Sequence, residues 1–181
     1  FNRIIKIYPS HKNIDYAYYM RAVSYFEQIS GENFDGESNK EAKKNFQELL
    51  NRFPNSEYAK DSRQKLIFIN ENIAAKDMEV AIFYLKQKQY LAALGRYNKV
   101  IEEYPKSKFV AEALYRLVEI YTILGMKEEA EKTASVIVYN YPQSQWYKDS
   151  YNLINEEYYK KDKATLGKRI LNLFKKNEPK E

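Results

Sequence analysis

Cysteine is absent from this 181-residue chain, which excludes disulfides, thiolate metal sites and cysteine nucleophiles and leaves the compartment open. Glycine and proline number five each, too few for an all-β fold with many tight turns. The single histidine is His11; with no cysteine beside it, a zinc site would have to be nearly all carboxylate, a donor set zinc disfavours. No apolar run approaches the roughly 18 residues that span a bilayer as a helix. Phosphate loops, dinucleotide fingerprints and nucleophile elbows are missing too. Catalysis therefore has no residues to carry it, and neither cofactor nor metal is expected. The opening residues, Phe1-Asn2-Arg3-Ile4, include no initiator Met and no signal peptide and fall inside an amphipathic pattern. The expectation is a fragment whose upstream part was cut away.

Hydrophobic residues make up 44% of the chain, enough for a substantial interior. Lys, Glu, Ala, Leu and Gln are plentiful and favour helix. The 18 tyrosines suit half-exposed seams between stacked helices, where a ring is buried and its hydroxyl stays wet. Thirty basic and 25 acidic side chains give a formal charge of +5, a mild bias that fits a solvated helical surface. Basic residues cluster only near the end, at Lys160, Lys161, Lys163, Lys168, Arg169, Lys175 and Lys176, where an anionic membrane surface or acidic partner is the alternative to plain solubility.

Four segments align on a proline: Phe1–Pro9 (FNRIIKIYP), Phe46–Pro54 (FQELLNRFP), Tyr97–Pro105 (YNKVIEEYP) and Ala134–Pro142 (ASVIVYNYP). Each has an apolar pair five and four residues before the proline and an aromatic directly before it: Tyr8, Phe53, Tyr104 and Tyr141. Ser56, Ser107 and Ser144 follow two residues after three of the prolines, and His11 holds that place after the first. The residue before a proline is pushed out of the α region, so each proline closes a helix. The serine then suits a cap for the next helix, and His11 reads the same way, as a cap or surface residue and not a base. The unit is helix, aromatic-proline stop, polar cap, helix; one such hairpin cannot bury both faces, so neighbours must stack.

The prolines lie 45, 51 and 37 residues apart (54−9, 105−54, 142−105). The shortest interval is close to the 34 residues of a tetratricopeptide repeat. Leu114, Leu117, Tyr121 and Ala130 then fall at that repeat's signature sites, as do Val80, Ala81, Tyr84, Ala93 and Tyr97 one unit earlier. The fold class is all-α: a right-handed tetratricopeptide superhelix of antiparallel helix pairs, with residues 1–181 as a single array. In the 45-residue unit the surplus falls in the polar stretch Ser30–Lys40 (SGENFDGESNK), expected to be an extended loop. In the 51-residue unit, Glu57 to Lys88 holds no Gly or Pro, and one long helix is expected, bent near Ala74–Asp77.

The acidic clusters Glu102-Glu103, Glu128-Glu129-Glu131 and Glu156-Glu157 fit exposed helix faces paired with nearby lysines. Because the tyrosines fall at repeat positions that fill helix seams, an aromatic and basic nucleic-acid platform is the poorer account of them. Thr165–Lys176 (TLGKRILNLFKK) reads as an amphipathic helix capping the last repeat, in preference to one lying on a membrane.

The stretch Tyr8–Val23 (YPSHKNIDYAYYMRAV) resembles the outer-membrane assembly lipoproteins of the BamD family, also called ComL or YfiO. Phe53–Leu66 (FPNSEYAKDSRQKL), Val80–Pro105 and Tyr141–Trp146 (YPQSQW) are similar to later junctions of that family, in its order and along nearly the whole chain. The resemblance implies a non-enzymatic tetratricopeptide scaffold of the β-barrel assembly complex, lipid-anchored at the periplasmic face of the outer membrane. It implies binding to a periplasmic domain of the barrel-forming subunit BamA, to other lipoproteins of that complex and to unfolded outer-membrane protein substrates, with no nucleic acid. The chain departs from the family pattern by lacking the signal peptide, the lipidation Cys and the first one and a half repeats. It would begin in the second helix of repeat two and touch the membrane only through an anchor absent from this sequence. Arg96, in Tyr90–Tyr97 (YLAALGRY), matches a family arginine that contributes to the BamA contact, with Tyr121 and Lys127 as further interface candidates. The alternative is another tetratricopeptide adaptor of the bacterial envelope, of the Tol-partner type, against which the Asn-Ile-Asp-Tyr run counts.

Overall fold

The structure, a computed structural model, describes residues 1–29 and 36–161. Among the described residues it is all-helical: α1 (Asn2–Ile7), α2 (Ile14–Phe26), α3 (Gly36–Arg52), α4 (Ala59–Lys86), α5 (Tyr90–Glu103), α6 (Val110–Ile123), α7 (Lys127–Asn140) and α8 (Gln145–Lys161). Two compact units, Phe1–Lys76 and Asp77–Glu181, divide the chain within α4.

Every aromatic-proline junction folds the same way. Tyr8, Phe53, Tyr104 and Tyr141 each donate their backbone N–H to the carbonyl four residues back, on Ile4, Leu49, Val100 and Ile137, at 2.7–3.1 Å. That is the last helical bond the chain makes there. At Tyr8, Tyr104 and Tyr141, φ lies between −124 and −134° and ψ between 45 and 55°, outside the α region, as the following proline requires. Two consecutive four-residue turns follow, each closed by a bond between residues three apart. His11, Ser56, Ser107 and Ser144 donate their N–H back to the aromatic's carbonyl, and their own carbonyls accept from Ile14, Ala59, Val110 and Tyr147.

At the first three junctions the polar side chain folds this connecting turn and does not cap the helix proper, which differs from the sequence expectation. Ser56 Oγ accepts from the N–H of Tyr58 and Ser107 Oγ from that of Phe109, both at 3.2 Å and both before the next helix begins. Ser144, directly before α8, does cap as expected: its Oγ accepts from the N–H of Tyr147, the third residue of that helix, at 3.2 Å. His11 substitutes for serine, its Nδ1 accepting from the Asn13 N–H at 3.2 Å. At the first three junctions the reason is distance: the polar residue two places after the proline is separated from the first helical turn by the second of the paired turns.

Helix partners within a unit are joined by a different device. After α4, Lys88 adopts φ 58° and the Gln89 N–H reaches back to the Tyr84 carbonyl at 2.9 Å. After α6, Gly125 adopts φ 73° and the Met126 N–H reaches the Tyr121 carbonyl, also at 2.9 Å. Both are left-handed C-terminal stops in which the backbone reverses through one residue of positive φ. Lys88 and Gly125 lie 37 residues apart (125−88), the same interval as Pro105 and Pro142, so the two helix pairs are in register throughout.

In the first unit Ala22, Ala42, Phe46 and Ile69 are fully enclosed, and Ile14, Ala17, Tyr18 and Leu49 form a second buried cluster. Tyr19 packs against both and donates its hydroxyl to Asp61 at 2.8 Å. In the second unit Val110, Leu114, Val118, Ala130, Ala134, Ile137, Val138, Tyr147 and Ile154 form one core. Ala93 and Ala130, the small residues of the second helix in each pair, are fully buried, which permits close helix approach. Burying each of Phe46, Leu49 and Ile137 stabilises its unit by roughly 1.5–3 kcal/mol relative to exposure.

The long helix expected between Glu57 and Lys88 is present as the 28-residue α4. The expected loop at Ser30–Lys40 is corrected at its far end: α3 begins at Gly36, and residues 30–35 lie outside the described region. Polarity made the segment look like a loop, yet Asn39 and Asn45 share the buried stripe of Ala42, Phe46 and Leu49. Thr165–Lys176, and the basic residues from Lys163 onward, also lie outside the described residues. No helix among the described residues is long and apolar enough to cross a membrane.

The two left-handed stops make opposite predictions. A Cβ at Gly125 would meet nothing within 4 Å, so Gly125→Ala costs only the backbone preference, about 1 kcal/mol. Lys88→Gly relieves the same preference and should stabilise by roughly 0.5–1 kcal/mol. Urea-unfolding midpoints check both; shifts in the same direction would contradict this account.

Candidate protein-binding site

On α4, Ala74, Asp77, Met78 and Ala81 follow at spacings of three, one and three residues and all are buried, so Asp77 sits on the inward stripe of its helix. A carboxylate there must be paired, because burying it alone costs far more than a helix stripe returns. Helix α5 supplies two cations. Arg96 Nη1 donates to Asp77 Oδ1 at 2.9 Å, and Lys99 Nζ lies 2.8 Å from Oδ2. Oδ2 makes no regular hydrogen bond, so its attraction to the Lys99 ammonium is ionic and only loosely directional. Arg96 and Lys99 are three residues apart and share one face of α5.

Burial is unequal across this cluster. The Asp77 side chain is 7% exposed, whereas Arg96 and Lys99 are 42% and 36% exposed. Among these three side chains two cations face one carboxylate, and both cations reach solvent; Glu103, four residues beyond Lys99 on α5, adds a further carboxylate beside Tyr104. Nearby Tyr104 is buried; that burial, the charge and hydrogen bond of Glu103, and the charge of Asp77 push its hydroxyl up to about 12. Tyr104 therefore stays neutral and adds no negative charge.

Tyr121 and Lys127, the other sequence candidates, sit at the α6–α7 turn. The half-buried Tyr121 ring packs against the core, while its carbonyl accepts the Met126 N–H of the left-handed stop. Lys127 is the exposed first residue of α7. The structure thus joins Arg96 to Asp77 and Lys99 and places Tyr121 and Lys127 on other elements. Sequence reasoning missed Asp77 and Lys99. The available signal was a charged residue at an apolar position of the α4 stripe, which calls for a cation on a neighbouring helix.

A second feature it missed is the Tyr115–Trp146 pair, stacked with ring centroids 5.2 Å apart. The Arg116 guanidinium lies 5.3 and 5.7 Å from the two rings and is held by Glu119 at 3.0 Å and Glu112 at 3.6 Å. Behind it, fully buried Tyr97 has a hydroxyl with no hydrogen-bond partner. Burial pushes that hydroxyl up to about 12, outweighing the opposing charge of Arg116.

Tyr97→Phe deletes a buried hydroxyl without a partner, so stability at neutral pH should be unchanged or raised by up to ~1 kcal/mol. The folded-state value lies above the ordinary 10, so the stabilising difference is intact below pH 10 and is lost as pH rises from 10 through about 12. Denaturation followed across that window should show a shallower alkaline loss in Tyr97→Phe than in the unaltered chain. An unchanged slope would mean that Tyr97 does not titrate as its burial requires.

A sequence model of the family YfiO, described as outer membrane lipoprotein, matches residues 1–137. Among curated proteins, the outer membrane protein assembly factor BamD of Caulobacter vibrioides is 41% identical over 155 residues, covering 86% of this chain and 51% of the relative. The protein of the same name from Rickettsia prowazekii is 42% identical over 153 residues, covering 84% and 61%. That from Neisseria meningitidis serogroup A is 33% identical over 152 residues, covering 78% and 57%. The chain spans between half and about six-tenths of the length of these relatives.

Proposed function

This chain belongs to the YfiO family of outer membrane lipoproteins, and we propose that it acts as a non-enzymatic scaffold in the assembly of outer-membrane β-barrel proteins. In this reading it binds a periplasmic domain of BamA, works beside the other lipoproteins of the complex and assists folding and insertion of unfolded barrel substrates. Its place is the periplasmic face of the outer membrane, held by a lipid anchor. Residues 1–181 are taken as one tetratricopeptide series, so helix pairs on both sides of α4 serve a single scaffold.

The observation that carries this reading is the match to assembly factors over more than four-fifths of the chain. The chemistry is compatible with it. The mechanism is binding alone: a helical frame offers fixed side chains to a partner, and no bond is made or broken. Arg96 is the leading contact, because its planar guanidinium can grip a carboxylate with two parallel hydrogen bonds. Tyr121 and Lys127 are weaker candidates, since the Tyr121 ring already packs against its own core.

Arg96→Glu reverses a half-exposed charge while α5 keeps its buried residues Ala93, Tyr97 and Val100. Affinity for the isolated BamA periplasmic domain, measured by titration calorimetry, should fall by at least ~10-fold, as for other charge contacts at interfaces. An unchanged dissociation constant would sink the assignment of Arg96.

A further inference from the structure

The two helix pairs in register differ sharply at three places. Adding the 37-residue interval to Asp77, Arg96 and Lys99 gives Leu114, Thr133 and Val136. Leu114 is a buried core residue, and Thr133 bonds its hydroxyl to the Glu129 carbonyl of its own helix. The same fold position is thus filled once by a leucine and once by an aspartate with two cations. Replacing a buried ion pair by apolar residues of similar volume is often neutral or stabilising, so the fold itself does not call for the charges. Their geometry does point somewhere. Asp77 engages only Nη1 of Arg96, and Nε and Nη2 make no other hydrogen bond among the described residues.

We propose that Asp77, Arg96 and Lys99 form a preorganised acceptor for an acidic side chain of a partner protein, with Asp77 as the positioning residue and Lys99 as a second contact. This rests on the reading of Arg96 as a partner contact. A partner carboxylate meets the unused edge of the guanidinium and the exposed Lys99 ammonium, and the cluster's surplus positive charge is neutralised. Asp77 keeps Arg96 in one orientation before the partner arrives, so less side-chain freedom is lost on binding.

Charge attraction alone and positioning predict opposite signs for one substitution. Asp77→Asn raises the charge of the cluster from one to two. If charge alone drew the partner, binding to the BamA periplasmic domain would tighten; if Asp77 positions Arg96, it weakens by ~3- to 10-fold. Lys99→Gln should weaken binding by ~3-fold and reduce its dependence on salt. Should Asp77→Asn fail to fold, the double variant Asp77→Leu/Lys99→Val takes its place, copying the buried Leu114 and the exposed Val136 that the neighbouring pair holds at those positions. It should bind about as weakly as Arg96→Thr, and binding as tight as Lys99→Val alone would overturn the positioning role. Each variant is checked by thermal melting of the full chain. Loss of affinity in Arg96→Thr with none in Asp77→Asn or the double variant defeats this inference only. No loss in Arg96→Thr defeats the interface reading beneath it.

Discussion

A proline has no amide hydrogen and forbids helical geometry to the residue before it, and this chain uses that constraint at every junction where a second helix hands over to the next pair. The aromatic residue makes one final helical hydrogen bond and leaves the α region. Everything after it is short-range: two four-residue turns and one polar side chain over the turn. Because the junction is built from local bonds, it repeats with little variation whether the polar residue is serine or histidine. Helix lengths are then set by the distance from a left-handed stop to the next proline. That is how Arg96 comes to lie in the middle of α5, two turns from either end and on a rigid frame.

Much of this was legible beforehand because it depends on few residues close in sequence. The four prolines, the apolar pair before them and the glycine-free run of α4 pointed to helices in the right places. Reading failed where a polar residue did something other than face water. Asn39 and Asn45 belong to a buried stripe, so a helix start looked like a loop. Lys88 holds a positive-φ stop that glycine holds at the equivalent place, and no composition rule marks a lysine for that task. At the site, Arg96 was legible through resemblance, yet its partner Asp77 lies 19 residues away on another helix. Only the stripe position of Asp77 hinted at a pairing, and a hint of that kind names no partner.

The polar groups at the helix seams and in the core divide into two kinds. The hydroxyls of Tyr19 and Ser56 donate to the carboxylates of Asp61 and Asp15 across neighbouring elements and fix their register. Tyr97 has no such bond and is tolerated because its ring fills the core. Asp77 fits neither description: each of its oxygens faces a cation, but on side chains that remain a third or more exposed. An ion pair with one end buried and the other wet contributes little to stability, since the exposed ends are screened. What it does provide is direction. It ties two flexible cations to a fixed point.

In a repeat protein the shared positions build the frame, so what a given repeat does for a partner must reside where it departs from its neighbour. The second unit states this with two pairs in register. They agree at Ala93 and Ala130 and at the carbonyls of Tyr84 and Tyr121, all of which serve helix packing or termination. They disagree at Asp77 and Leu114, at Arg96 and Thr133, and at Lys99 and Val136, where one pair presents charge and the other presents methyl groups. A frame tolerant of both solutions leaves those positions to be set by something outside the chain. In the proposed reading as a binding scaffold, that outside influence is the surface it meets, and cations held in place by a buried carboxylate are the complement of a negative one.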